Sequence, residues 1–239
     1  MNKEKSKVLK YVLFPRRCVC CSDIIYPTET ICDKCDIDRC RVRYPKCIYC
    51  GQENSMCGCS EEKYEYNYLL SPFYYENEIR QSIINFKFRP QIENGKFLAH
   101  EMSKTLLNDY VGDKIDIIVS VPLTRKRKRT RGFSQTDYLA EHISKYTSIP
   151  FRKGTLIKIK ETLPQVGLSA KERKTNLIGA FVVDGKYDLK GKTVLLCDDN
   201  KTTGTTLNEC SKTLKRAGAK SVVGLTAALT KQMLKGEEE

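Results

Sequence analysis

Apolar positions along this chain change rhythm near residue 60. After it, apolar runs alternate with polar loops at the spacing of strand–helix–strand units. "YEYNYLLSPFYY" (64–75) reads as strand with a turn at Ser71–Pro72, and "ENEIRQSIINFKF" sets Ile79, Ile83 and Phe86 on one helical face. "GKFLAHEMSKTLLNDY" is a second amphipathic helix, and "IDIIVSVPL" is the nearly unbroken apolar run of a strand buried on both faces. "FSQTDYLAEHISKY" predicts a helix with Leu139, Ile143 and Tyr146 inward. After an irregular stretch come "GAFVVD", the buried strand "KTVLLCDD", a helix over "TTLNECSKTLKRAG" and a last strand, "KSVVGLTAAL". In that last helix Leu207, Cys210, Leu214 and Ala217 align, and Gly218 ends it. The succession predicts an α/β fold: a mostly parallel sheet with helices on both faces, over residues 61–239.

Residues 1–60 follow another logic. Ten of the twelve cysteines lie between Cys18 and Cys59, at Cys18-x2-Cys21, Cys32-x2-Cys35, Cys47-x2-Cys50 and Cys57-x-Cys59. Two residues between cysteines let both sulfurs reach one tetrahedral ion, so this region reads as a small structural zinc module. Sequential use assigns one zinc to Cys18, Cys21, Cys32 and Cys35 and a second to Cys47, Cys50, Cys57 and Cys59; cross-bracing the first pair with the third is the alternative. Cys20 and Cys40 are spare. Crowded cysteines of this kind belong to a reducing compartment. "YVLF" near the N-terminus is too short for a secretory apolar core, and no stretch reaches the roughly 18 apolar residues of a membrane span. The expected location is the cytoplasm.

The formal net charge is +13. Two zinc ions on eight thiolates would leave about +9, still enough to attract phosphorylated small molecules or nucleic acid. Six cations crowd one loop, "VPLTRKRKRTRGFSQ": Arg125, Lys126, Arg127, Lys128, Arg129 and Arg131. They repel one another unless an anion joins them.

The chemistry concentrates in "VLLCDDNKTTGTTL". In an open parallel sheet, ligands sit outside the carboxyl ends of the strands. Asp198 and Asp199 stand at such an end, able to accept hydrogen bonds from a sugar's vicinal hydroxyls. Thr202, Thr203, Gly204, Thr205 and Thr206 follow at a helix start, offering N–H groups and hydroxyls to a phosphate monoester. Carboxylates for two hydroxyls beside a phosphate cradle describe a ribose 5-phosphate site.

This stretch resembles the phosphoribosyl pyrophosphate (PRPP) signature of type I phosphoribosyltransferases. The whole chain resembles the ComF (competence protein F) branch, through its CxxC pairs, "FKF" (86–88), "VPL" (121–123), "RGFSQ" (131–135), "TLPQVGL" (162–168) and "ERKTNLIGAF" (172–181). Asn200 stands where the signature carries an aliphatic residue, and Ser134 where the family carries Asn. The resemblance implies a PRPP site with Mg2+, in which Asp198 and Asp199 hold the ribose. It also implies that Pro122, Arg125, Arg127 and Arg131 surround the pyrophosphate, with Arg131 stabilising its departure alongside the catalytic Asp198 and Asp199. Lys87 is brought within reach of the anion, the alternative being a surface lysine. Thr162, Gln165, Arg173 and Asn176 are candidates to orient an acceptor, which the sequence does not name. His100 and His142 lack partner motifs and read as surface or packing residues. Two functions stay open: transfer of ribose 5-phosphate with release of pyrophosphate, or a PRPP-sensing or single-stranded-DNA-binding factor of the competence machinery. In the second, Phe133 stacks on a base, and the zinc module or basic loop meets other competence proteins.

Overall fold

Val194, Leu195, Leu196 and Cys197 are four apolar residues in a row, and all are buried because the strand that carries them is covered on both sides. A computed structural model describes residues 11–59, 64–89, 91–124, 128–130, 132–160 and 177–231. Its main sheet holds β1 (Tyr68–Leu70), β2 (Phe73–Tyr74), β3 (Ile117–Ser120), β6 (Thr193–Lys201) and β7 (Ser221–Leu229). The order is β1-β7-β6-β3, with β2 also on β7 and every pairing parallel. Ser71 and Pro72 interrupt the edge strand between β1 and β2, where the sequence placed a turn. β4 (Leu156–Lys158) and β5 (Phe181–Val183) form a separate antiparallel pair, so "GAFVVD" adds no strand to the main sheet.

Strand alternation sorts the core into two layers. Leu195, Cys197, Val223 and Leu225 face α1 (Asn77–Phe88), α2 (Ile92–Asp109) and α3 (Gln135–Thr147), through Ile79, Ile83, Phe86, Leu98, Met102, Leu139 and Ile143. Val194, Leu196 and Val222 face α4 (Thr205–Arg216), through Leu207, Cys210 and Leu214. Two inward positions differ from expectation. Tyr146 is exposed, its ring edge-on to His100 of α2 at 5.4 Å rather than turned into the core. Ala217 is exposed past the end of α4; Gly218 (φ +98°) reverses the chain and Ala219 is buried instead. A third difference bears on the site: β6 continues past the two aspartates to Lys201, because the nine-residue β7 offers partners as far as Leu229.

The three-helix face leaves no room at Gly95. A Cβ there would lie 2.7 Å from both Phe86 Cζ and Tyr138 Cε1. Gly95→Ala is therefore expected to destabilise the protein: overpacking costs about 1–3 kcal/mol, more than the roughly 1 kcal/mol gained in helix propensity. A lower urea midpoint with an unchanged slope is the predicted measurement.

The cysteine-rich segment is welded to this face. Cys18, Val19, Cys20, Ile25 and Cys40 belong to the same core cluster as α1 and α2. Asn85 Nδ2 donates to the Cys20 carbonyl at 3.4 Å, and Asn94 Nδ2 donates to that of Val19. Arg41 pairs with the buried Glu101 of α2 at 2.8 Å. The spare Cys20 and Cys40 are thus packing residues. The boundary expected at residue 60 falls outside the described residues.

Candidate functional site

The sequential pairing predicts which sulfurs should meet, and they do. The thiols of Cys18, Cys21, Cys32 and Cys35 lie within 4.8 Å of one another, as do those of Cys47, Cys50, Cys57 and Cys59. The separations Cys21–Cys32 (3.6 Å), Cys47–Cys59 (3.5 Å) and Cys50–Cys57 (3.6 Å) approach the roughly 3.8 Å edge of a tetrahedron built on Zn–S bonds of about 2.3 Å. Both sets fit a zinc ion with all four positions filled. Burial opposes ionisation of Cys18, yet N–H bonds from the backbone of Cys21, Cys32 and Cys20 bring its thiol down to about 7. Burial and then neighbouring thiols push Cys35 and Cys59 well up. Four thiolates this close require a dication to hold them.

The acidic pair sits inside β6, two residues before its end. Alternation sends the neighbouring carboxylates to opposite layers. Asp199 follows Leu195 and Cys197 toward α1, whose last turn carries Lys87; Lys87 Nζ meets Asp199 Oδ1 at 2.8 Å, with both side chains largely covered. Lys87 is therefore a partner of the acidic pair rather than a surface lysine. Asp198 follows Val194 and Leu196 toward α4. Its Oδ1 accepts from the Asp199 N–H at 2.8 Å, which curls the side chain along the strand toward the loop. Burial first, then the adjacent Asp199 charge, push the Asp198 carboxyl up to about 8, against the pull of that N–H bond and of Lys87.

The loop that follows turns on Gly204, whose φ of +78° is left-handed and easy only for glycine. Gly204 is also the N-cap of α4 and has no side chain with which to cap it. A helix start of this kind, with its dipole and backbone N–H groups at one end, is suited to an anion. Thr203 Oγ1 and Thr205 Oγ1 are 2.9 Å apart, Thr202 is exposed and Thr206 half-buried. Beneath the loop lie Tyr66 and Lys201, both buried.

β3 brings the root of the basic loop alongside. Val121 N donates to Cys197 O at 2.9 Å, one residue before the acidic pair. Pro122 follows, half-buried, and Thr124 O accepts from Lys128 N at 3.0 Å. Arg125, Lys126, Arg127 and Arg131 lie outside the described residues, as do Thr162, Gln165, Arg173 and Asn176. Ser134 caps α3 by accepting from Asp137 N, so a short hydroxyl serves where the family carries Asn. Phe133 is half-buried and packs edge-on against Phe86 (5.6 Å) and Tyr138 (6.3 Å). His142 stacks on Tyr138 at 4.2 Å and His100 is half-exposed, both away from the acidic pair's contacts.

Two features escaped the sequence. Ser120 Oγ donates to Asp137 Oδ1 at 2.6 Å, and Ser120 is the register partner of Cys197 in β6, so this pair flanks the acidic strand. Lys201 reads as filler inside the loop motif but is a buried cation. Only the tertiary contacts reveal either.

Residues 91–238 match the phosphoribosyl transferase domain family. Over most of its length the chain is similar to competence protein F of Haemophilus influenzae, 29% identical over 87% of this chain and 95% of that one. It is similar to the DNA utilization protein YhgH of Escherichia coli, 28% identical over 86% of each chain. Competence protein ComFC of Bacillus subtilis is 26% identical over 85% of each. Among solved structures it resembles a hypoxanthine phosphoribosyltransferase of Staphylococcus aureus (16% identical, TM-score 0.37, 65% of this chain and 76% of that one). It also resembles the glutamine PRPP amidotransferase of B. subtilis (23% identical, TM-score 0.35, 60% of this chain), of whose length it spans 27%. With an acid-bearing parallel strand, a glycine-capped threonine loop and a family match over more than half its length, this chain belongs to the phosphoribosyl transferase domain family.

Proposed function

We propose that the protein binds PRPP with Mg2+ and transfers its ribose 5-phosphate to a nucleophile, releasing pyrophosphate, in the handling of DNA during uptake. One observation carries this reading: a helix N-terminus that starts on a left-handed glycine amid clustered threonine hydroxyls follows directly on two aspartates, one of them held by a lysine. The 5-phosphate sits on the N–H groups of Thr205 and Thr206 with the hydroxyls of Thr202, Thr203 and Thr205 beside it. Asp198 and Asp199 accept from the 2- and 3-hydroxyls. Mg2+ supplies charge neutralisation on the pyrophosphate. At C1 the bond to the pyrophosphate oxygen breaks, the electron pair leaving with pyrophosphate. The nucleophile's lone pair forms the new bond and its proton passes to solvent. Lys87 holds Asp199 in place beside the ribose, where a carboxylate favours positive charge developing on the ring. Arg125, Arg127 and Arg131, following Pro122, meet the departing pyrophosphate, with Arg131 the main stabiliser. The two four-sulfur clusters each hold one structural zinc. Twelve cysteines with no disulfide among them suit a reducing cytoplasm, and among the described residues no helix is long and apolar enough to cross a membrane.

A second reading is a PRPP sensor or single-stranded-DNA-binding factor that performs no transfer, supported by the +13 charge and by relatives named for competence and DNA utilization. Calorimetry with PRPP and Mg2+ tests the shared site, with heat of binding expected. Pyrophosphate release across a panel of bases, amines and oligonucleotides separates the two. Turnover on any acceptor supports transfer; tight binding without turnover supports the sensor. No heat overturns both PRPP readings.

A further inference from the structure

Lys201 is a charged residue placed where charge is costly. Its side chain is 1% exposed, and a buried ammonium is kept only where acceptors compensate it. It is the last residue of β6, in register with Leu229, and its side chain runs beneath the threonine loop: a Cβ on Gly204 would lie 3.2 Å from Lys201 Cε. At its far end Nζ donates to the carbonyl of Cys50 at 3.2 Å. Cys50 is one of the second set of four sulfurs. One side chain thus spans from the candidate phosphate loop to a candidate metal ligand.

The knuckle it reaches is held against the sheet. Gly51 N donates to Cys47 O at 2.9 Å and Cys47 N to Gln52 O at 2.7 Å, closing the turn around Cys50. Leu69 N of β1 donates to Ile48 O at 2.7 Å. Gly51 (φ +76°) faces Leu229 so closely that a Cβ would stand 3.1 Å from its Cδ2. The Cys50 carbonyl therefore cannot move independently of the ends of β1 and β7. A metal ion on Cys47, Cys50, Cys57 and Cys59 would tie the sulfur side of that turn as well; without the ion only the hydrogen bonds and the sheet contact hold the carbonyl, and the ammonium's acceptor is less firmly placed.

We propose that Lys201 is a positioning residue that couples the second sulfur cluster to the phosphate loop, so that metal on the cluster and a sugar phosphate on the loop strengthen each other's binding. This rests on the reading of Thr202–Thr206 as a phosphate cradle. The coupling is reciprocal by linkage: whatever zinc does for PRPP affinity, PRPP does for zinc retention. The first cluster, Cys18, Cys21, Cys32 and Cys35, packs beside α1 and α2 and does not share this link.

The test uses the full zinc-loaded chain and measures zinc transfer to a colorimetric chelator, with and without PRPP and Mg2+. PRPP is expected to slow the release of one of the two zinc ions by about fivefold or more, the lower range of allosteric coupling, and to leave the other unchanged. Cys57→Ser, which opens the second cluster, should remove the protected ion and weaken PRPP binding by a similar factor. Lys201→Met should keep both zinc ions and a measurable heat with PRPP but lose the protection. Release rates indifferent to PRPP in wild-type protein that binds PRPP overturn the coupling, and so does protection that persists in Lys201→Met. The wild-type comparison needs no variant, so it decides the matter even if Lys201→Met fails to fold. No heat at all from zinc-loaded wild type brings down the phosphate-loop reading itself, and the coupling with it.

Discussion

Removing metal from the eight clustered cysteines is expected to unfold far more than the cysteine-rich segment. Structural zinc contributes about 10–16 kcal/mol of apparent binding energy in small thiolate modules, as much as the whole stability of a typical domain. Here the module is not an appendage. Cys18, Val19, Cys20, Ile25 and Cys40 share a core with the inner faces of α1 and α2, and the Arg41–Glu101 pair bridges the two parts. Losing the module would leave Glu101, 5% exposed, without that partner and would bare the buried side of α1. A strong chelator, or Cys18→Ser with Cys47→Ser, should therefore abolish the cooperative thermal transition expected of the chain loaded with two zinc ions. A segment-deletion variant lacking residues before 60 should aggregate rather than behave as a free domain. Circular dichroism melts paired with metal analysis check this. A metal-free chain that melts where the loaded one does would refute it.

The second large effect concerns protons at the acidic pair. Burial and the neighbouring Asp199 charge raise the Asp198 carboxyl to about 8. Between the ordinary carboxylate range and that value, the folded chain holds a proton that the unfolded chain has released. Raising the pH through this window therefore lowers the stability of the ligand-free protein. Binding has the opposite sign. If the sugar's hydroxyls donate to an ionised Asp198, PRPP uptake releases a proton, and affinity should rise with pH up to about 8 by as much as about tenfold per unit, then level. Asp198→Asn should flatten both dependences. Asp199→Asn should weaken PRPP binding by about 10–100-fold, the worth of a hydrogen bond to a charged group, and should leave Lys87 without its ionic partner. Calorimetry in two buffers of different ionisation enthalpy measures the proton directly. Affinity independent of pH in wild type would remove Asp198 from the ribose site.

Much of the architecture was legible because it depends on local periodicity. Ile79, Ile83 and Phe86 recur at helical spacing and are buried together; Leu139 and Ile143 likewise. The apolar run at Val194–Cys197 required cover on both faces and received it. The sulfur clusters were legible because two-residue spacing is itself a geometric constraint. Tyr146 and Ala217 were misplaced because periodicity describes a helix's stripe and not where its partner surface stops. The Lys87–Asp199 pair joins residues 112 positions apart, and only packing of α1 over β6 brings them into contact.

By itself the sequence determined the alternation of buried strands and amphipathic helices, the sulfur groupings, and the order of acids, threonines and glycine along the strand end and loop. Each is a matter of neighbours along the chain. Tertiary structure alone decided that β6 runs on through both aspartates beside β7, that Lys87 holds one of them, and that Lys201 runs under the loop to Cys50. Those contacts depend on strand register and helix docking, which are set by the summed burial of distant apolar residues rather than by any local spacing.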